Sequence, residues 1–360
     1  MASSPSFAAR HGYLGLVLPG VLVLGLAVLL FESSANLTVH GFTQVIDDLL
    51  ARSQRHVAGT GAPSAPAPTV AAEHGKQTTV RPSLVVLAEV KARYIWLSTV
   101  LLSLVMSCYV SLNCGVIIYR NQPRDRLVVL GAFGAVLSIL GIGFLIALSE
   151  DDVLYRAVYG FTYQSLARSG YVHDGLLRFT HLAVSAINGL AVVAPIIAVL
   201  AACSIIARPA DSRIITPDFL VRRMRQLNEV LYGGSAILVT GILHMGAWLR
   251  WPASLIADRA SQEAVLGVAL AITIFWGTTF TLMLIVTYVP AAVSIARQAH
   301  SLLERDEYAR TIPDADGWLK QHGFHLSIEQ HLLQFGALLA PVLAGPLGSF
   351  LLAPLDLLDQ

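Results

Sequence analysis

Charge is what this 360-residue chain has least of: 13% of its residues are Asp, Glu, Lys or Arg, about half the share in soluble domains, while 55% are hydrophobic. That balance excludes a water-soluble globule. Lysine is nearly absent, with Lys76, Lys91 and Lys320 the three lysines among 24 basic residues, and the formal net charge is +1. Without a concentrated basic face there is no electrostatic footprint for nucleic acid, and no nucleic-acid partner is expected. Cys108, Cys114 and Cys203 lie inside apolar runs, too few and too deep for a secreted disulfide framework. The signatures of soluble enzymes are missing too: no phosphate-cradling Gly-rich loop with Lys, no GxSxG elbow, no HExxH and no CxxC pair. The polar stretches between apolar runs are too short or too linker-like for an independent catalytic domain.

What is present is a series of long apolar runs. About 20 residues at 1.5 Å per residue cross the roughly 30 Å of a bilayer core. Tyr13 to Phe31, Tyr94 to Tyr119, Leu127 to Ser149, His181 to Ala207, Gly233 to Leu249 and Ala264 to Val289 meet that length or approach it. They predict an all-α, polytopic transmembrane bundle of about six spans. The first run exceeds the about 7 to 15 residues of a signal-peptide core and so predicts an uncleaved signal anchor. The Ala, Leu and Arg bias resembles that of GC-rich bacterial genomes, which points to a bacterial cytoplasmic (inner) membrane.

The layout divides into a signal-anchor helix at 1–32, an extracytoplasmic loop at 33–93, the bundle at 94–298, and a cytoplasmic stalk with a C-terminal apolar helix at 299–360. Within the loop, Phe42, Val45, Ile46, Leu49 and Leu50 fit a short surface helix, and the Ala/Pro/Gly tract from Gly59 to Gly75 predicts a flexible linker. Residues 84–93 predict a helical lead-in to the second span. Ser327 and Gln330 form a capping-box pattern ahead of a last apolar helix from about Ile328. Its Gly336, Pro341, Gly345, Pro346, Gly348 and Pro354 suit a seventh span and a re-entrant or interfacial segment equally.

Orientation follows from arginine. Arg120, Arg124 and Arg126 crowd one tight connection and Arg208, Arg213, Arg222, Arg223 and Arg225 another, so both are expected in the cytoplasm with the N-terminus inside. Thr216 as N-cap and Pro217 at the first helical position predict a helix start. Leu220, Met224, Leu227 and Leu231 share one stripe while Arg222, Arg223 and Arg225 spread over the rest, the pattern of a basic helix lying on an anionic leaflet.

Ionisable groups inside a bilayer are costly, and none of the six spans as delimited has a central Asp, Glu, Lys or Arg. That weakens ion-coupled carriage and leaves a passive pore open. His244, in GILHMGAWLRWP, sits one turn from Trp248 and close to Arg250 and Trp251. The plain reading is interfacial anchoring by amphipathic side chains. The sharper one is a b-type haem held by His181 and His244 with Arg250 beside a propionate. His300, His322, His325 and His331 near Glu329 read as surface histidines, and no metal site is expected. Gly131, Gly134, Ser138 and Gly141, with Ala135, allow close helix approach, within one subunit or between two. The expectation is a non-enzymatic multi-pass subunit of a homo- or hetero-oligomeric membrane assembly: a pore, a transport component or a signalling scaffold. The alternatives are the haem redox protein and a secondary transporter for a small solute.

Overall fold

The computed structural model describes residues 12–36, 84–148, 152–207, 209, 215–256, 259–304, 308, 312, 314–324 and 332–352. The expected surface helix at 42–50, the linker at 59–75 and the cap at Ser327 and Gln330 lie outside the described residues, as do His325, Glu329 and His331.

Every regular element among the described residues is helical. A 3₁₀ turn, Gly12–Leu16, leads into α1 (Val17–Asn36), followed by α2 (Leu84–Asn121) and α3 (Arg124–Ala147). A short bent segment comprises Val153–Tyr155, a π-helical turn Arg156–Gly160 and α4 (Phe161–Arg168). Then come α5 (Asp174–Ile206), α6 (Pro217–Arg250), a 3₁₀ turn Trp251–Leu255, α7 (Arg259–Leu303), α8 (Ala315–Gln321) and α9 (Leu332–Leu352). Seven of the described helices are long and apolar enough to cross a membrane. The chain is an all-α, multi-pass membrane protein.

The helices run further than their apolar runs. α2 starts at Leu84 rather than Tyr94, α5 at Asp174 rather than His181, and α6 at Pro217 rather than Gly233. Hydropathy marks where lipid begins, whereas a helix continues until its backbone bonds are interrupted. α6 starts where its cap requires: the Thr216 hydroxyl accepts from the Phe219 N–H at 3.2 Å, and Pro217 follows in the position that needs no N–H donor. Gly233 does not break it, because the glycine is needed for packing. A Cβ there would lie 2.8 Å from Val110 Cγ1 on α2.

α2 and α6 are antiparallel neighbours. Asn121 Nδ2 donates to Gln226 Oε1, Ser103 Oγ donates to the Thr240 carbonyl, and the Trp96 ring meets that of Trp248. The bundle therefore has an Arg end, with Arg120, Arg124, Arg126 and the start of α6, and a Trp end, with Trp96, Trp248 and Trp251. One apolar core, including Leu220, Leu227, Ala291 and Leu302, sits toward the Arg end. Another, including Leu166, Trp96, Trp248 and Trp251, sits toward the Trp end. α6 is the central helix, with 61% of its most apolar window buried, and α3 the most peripheral, with 6%.

α9 packs against α6 and α7 as the seventh candidate span. Pro341 is accommodated by neighbours. Pro341 has no N–H for the Ala337 carbonyl four residues back, and Ser235 Oγ on α6 donates to that carbonyl at 2.6 Å instead. The Val342 N–H donates to Thr281 Oγ1 on α7. The approach is backbone to backbone, since a Cβ on Gly277 would lie 2.5 Å from the Pro341 carbonyl oxygen.

Candidate functional site

At the Trp end, two stripes of side chains face one another. Glu89, Arg93 and Trp96 recur at i, i+4 and i+7 along α2, and His244, Trp248 and Trp251 do the same at the end of α6 and the turn beyond it. The antiparallel register brings them together. The Trp96 ring centroid lies 5.2 Å from Trp251, 5.6 Å from Trp248 and 6.1 Å from His244. Arg93 Nη2 donates to Glu89 Oε2 at 2.7 Å, and the Glu89 carboxylate is almost wholly enclosed. Interfacial anchoring is therefore not what His244, Trp248 and Trp251 do, because all three are buried and Trp96 and Trp251 are 0% exposed. They make an interior wall rather than a headgroup belt.

Hydrogen bonding within this wall is uneven. Trp248 Nε1 donates to the Val158 carbonyl at 2.9 Å. Among the described residues, Trp96 Nε1, Trp251 Nε1 and His244 Nδ1 are buried without partners, as are Glu89 Oε1 and Arg93 Nε. An orphaned buried donor or acceptor costs about 1–3 kcal/mol, so five along two neighbouring stripes are a feature to be explained. Glu89 is the residue that hydropathy hid. It precedes the apolar run but lies inside the helix, and the signal that marks it is the spacing within EVKARYIW rather than local polarity.

The structure does not bring His181 and His244 together. His181 is exposed, with Nδ1 hydrogen-bonded to the Tyr159 hydroxyl, and its ring meets Tyr159 and Tyr163. The route from one histidine to the other passes through packed rings: His244, Trp96, Trp248, Tyr159, His181. A haem held by this pair would have to displace Trp248, which is fixed by its bond to Val158, so the residues present do not fit that group. Arg250, placed beside a propionate in that reading, instead has Nη1 3.4 Å from the Gly348 carbonyl near the end of α9. Among the described residues no three His, Cys, Asp or Glu side chains are grouped to hold a metal ion.

The Arg end handles its polar groups differently. Arg223, expected on the leaflet surface with Arg222 and Arg225, is 4% exposed and turned inward, while Arg222 and Arg225 remain outside. The expected surface helix is the opening of α6, and position 223 falls on the same inward stripe as Leu220 and Leu227. Arg223 Nη1 donates to the Ser204 and Ile205 carbonyls, and Gln122 Nε2 donates to Ser204 at 2.6 Å. These are last-turn carbonyls of α5, which have no intrahelical donors and form the negative end of the helix dipole. The Phe219 ring, 4.7 Å from the guanidinium carbon, adds a cation–π contact. A charge with no carboxylate partner among the described residues is thus held by a helix end.

In α3 the small residues divide between two faces. A Cβ on Gly134 would lie 2.6 Å from Leu200, and one on Gly141 2.6 Å from Val192, so these glycines seat α3 on α5. Ser138 is half-buried between them. Gly131 and Ala135 face outward, with nothing within 4 Å of where a Gly131 Cβ would sit. Set beside known proteins, the chain matches no family model, no curated protein and no solved structure.

Proposed function

We propose that this protein is a non-enzymatic subunit of a membrane assembly, and that it meets a second copy of itself through α3. The carrying observation is how α3 is held. Its principal helix neighbour is α5, and its outward face presents Gly131 and Ala135 one turn apart. A helix face turned only to lipid gains dispersion from large side chains, whereas small residues four apart let a second backbone approach closely. Related by a two-fold axis, this face is complementary to itself. The Arg end is assigned to the cytoplasm of a bacterial inner membrane, with the N-terminus inside and the end of α9 outside, because Arg120, Arg124, Arg126, Arg222 and Arg225 cluster there.

Native mass spectrometry of the gently solubilised protein tests this reading. The wild type is expected at dimer mass, and Gly131→Leu with Ala135→Leu, made where there is room for both side chains, at monomer mass. A wild-type monomer, or a dimer indifferent to both leucines, would sink the proposed contact.

A further inference from the structure

Trp276 Nε1 on α7 is a further buried indole without a partner in the core at this end, but the unpartnered atoms of the two stripes make a specific chemical set. Trp96 Nε1, Trp251 Nε1 and Arg93 Nε are obligatory donors, Glu89 Oε1 of the ion-paired carboxylate is an acceptor, and His244 Nδ1 takes either role with its tautomer. Indole differs from the other large aromatic rings of a core in carrying an N–H that has to be satisfied. Trp248, bonded to Val158, shows that the fold can partner an indole here from its own backbone. Lipid headgroups are no answer for Trp96 and Trp251, which are fully enclosed. The missing partners are therefore small, interior and able both to accept and to donate.

Water has those properties. It accepts and donates two hydrogen bonds and needs only about 10–15 Å³ of probe-sized space, whereas rings packed at 5.2 to 6.1 Å leave gaps between edges rather than a chamber for a planar guest. We infer that ordered water binds between the two stripes, hydrogen-bonds Trp96, Trp251 and His244, and joins them to the free edge of the Glu89–Arg93 pair. Arg93, whose side chain is 28% exposed against 3% for Glu89, marks the mouth. The site gives protons a route from the Trp end to His244.

Of the other charged groups at this end, Glu32 on α1 accepts from the Leu154 N–H at 2.8 Å. Lys91 on α2 is exposed, Arg250 is directed to Gly348, and Arg259 and Glu263 on α7 pair with each other on the surface. Tyr155 and Tyr159 lie beyond Trp248, and the described part of α9 has no charged residue.

The test is NMR of ¹⁵N-tryptophan-labelled protein in micelles, reading water contacts of the five indole N–H groups. Water cross-peaks are expected for Trp96 and Trp251 and not for Trp248. Their absence, with exchange as slow as that of Trp248, would overturn the site. Glu89→Gln, which keeps the shape of the side chain but removes its charge, should shift the Trp96 and Trp251 N–H signals. Signals identical to those of the wild type would break the link to Glu89. A larger bound mass in the native spectrum would overturn water as the occupant.

Discussion

The two ends of this bundle bury polar side chains by different means. At the Arg end, Arg223 and Gln122 each reach carbonyls that a helix terminus leaves without donors, although Arg223 Nε and Gln122 Oε1 are themselves buried without partners among the described residues. At the Trp end, Trp96, Trp251 and His244 have buried ring nitrogens for which the described residues supply no partner. The difference separates a joint from a site. A joint ties helices together and fixes how α2, α5 and α6 meet, even with an atom or two of its side chains left over. A site keeps unmatched groups, at a cost in stability, because something other than the chain completes them.

The sharpest way to break this comparison is to remove the joint. Arg223→Met keeps the bulk of the side chain but leaves the Ile205 carbonyl without its donor and Ser204 with Gln122 alone. The expected loss is about 3 kcal/mol, from buried carbonyls left unpaired and a lost charge-assisted bond. Denaturant unfolding in micelles measures it. A neutral Arg223→Met would mean that apolar packing alone holds the Arg end. A smaller effect calibrates the other end: Trp248→Phe removes the bond to the Val158 carbonyl and should cost about 1 kcal/mol. If that variant is as stable as the wild type, a partnered indole there is worth no more than an unpartnered one, and the contrast between Trp248 and its neighbours loses its force.

The sequence alone disclosed the class of fold, six of the seven candidate spans and the Thr216 cap. It left α9 undecided because glycine and proline look the same in a re-entrant segment and in a helix whose neighbours repair it. The hydroxyls of Ser235 and Thr281 that do so come from other helices. The candidate site was legible only in part. His244 stood out by type, but Glu89 fell outside an apolar run, and the partner stripe depends on a register between residues about 150 positions apart that no local pattern reveals. Arg223 was misread for a related reason. Arginine next to arginine looks like a basic surface, and only the helical phase shared with Leu220 and Leu227 separates the inward one from Arg222 and Arg225.

The smallest expected effect sharpens the comparison from outside the spans. Tyr159 lies in the bent segment before α5, stacked near Tyr163 and Trp248 and bonded to His181. Burial, and then the neighbouring Tyr155 and Tyr163, raise its pKa above the usual value of 10.0. The folded protein therefore retains that proton where the unfolded chain gives it up. The stability this contributes is complete below about pH 10 and is lost as pH rises above it. Alkaline melting curves should steepen in that range for the wild type and less so for Tyr159→Phe, with hydrogen exchange loosening first across residues 153–168. Near neutral pH the same variant should cost only about 0.5 kcal/mol, since the bond it removes is to an exposed histidine. If exchange instead loosens first at the Arg end, the alkaline weakness lies in the joint, and the Trp end is not the more labile of the two.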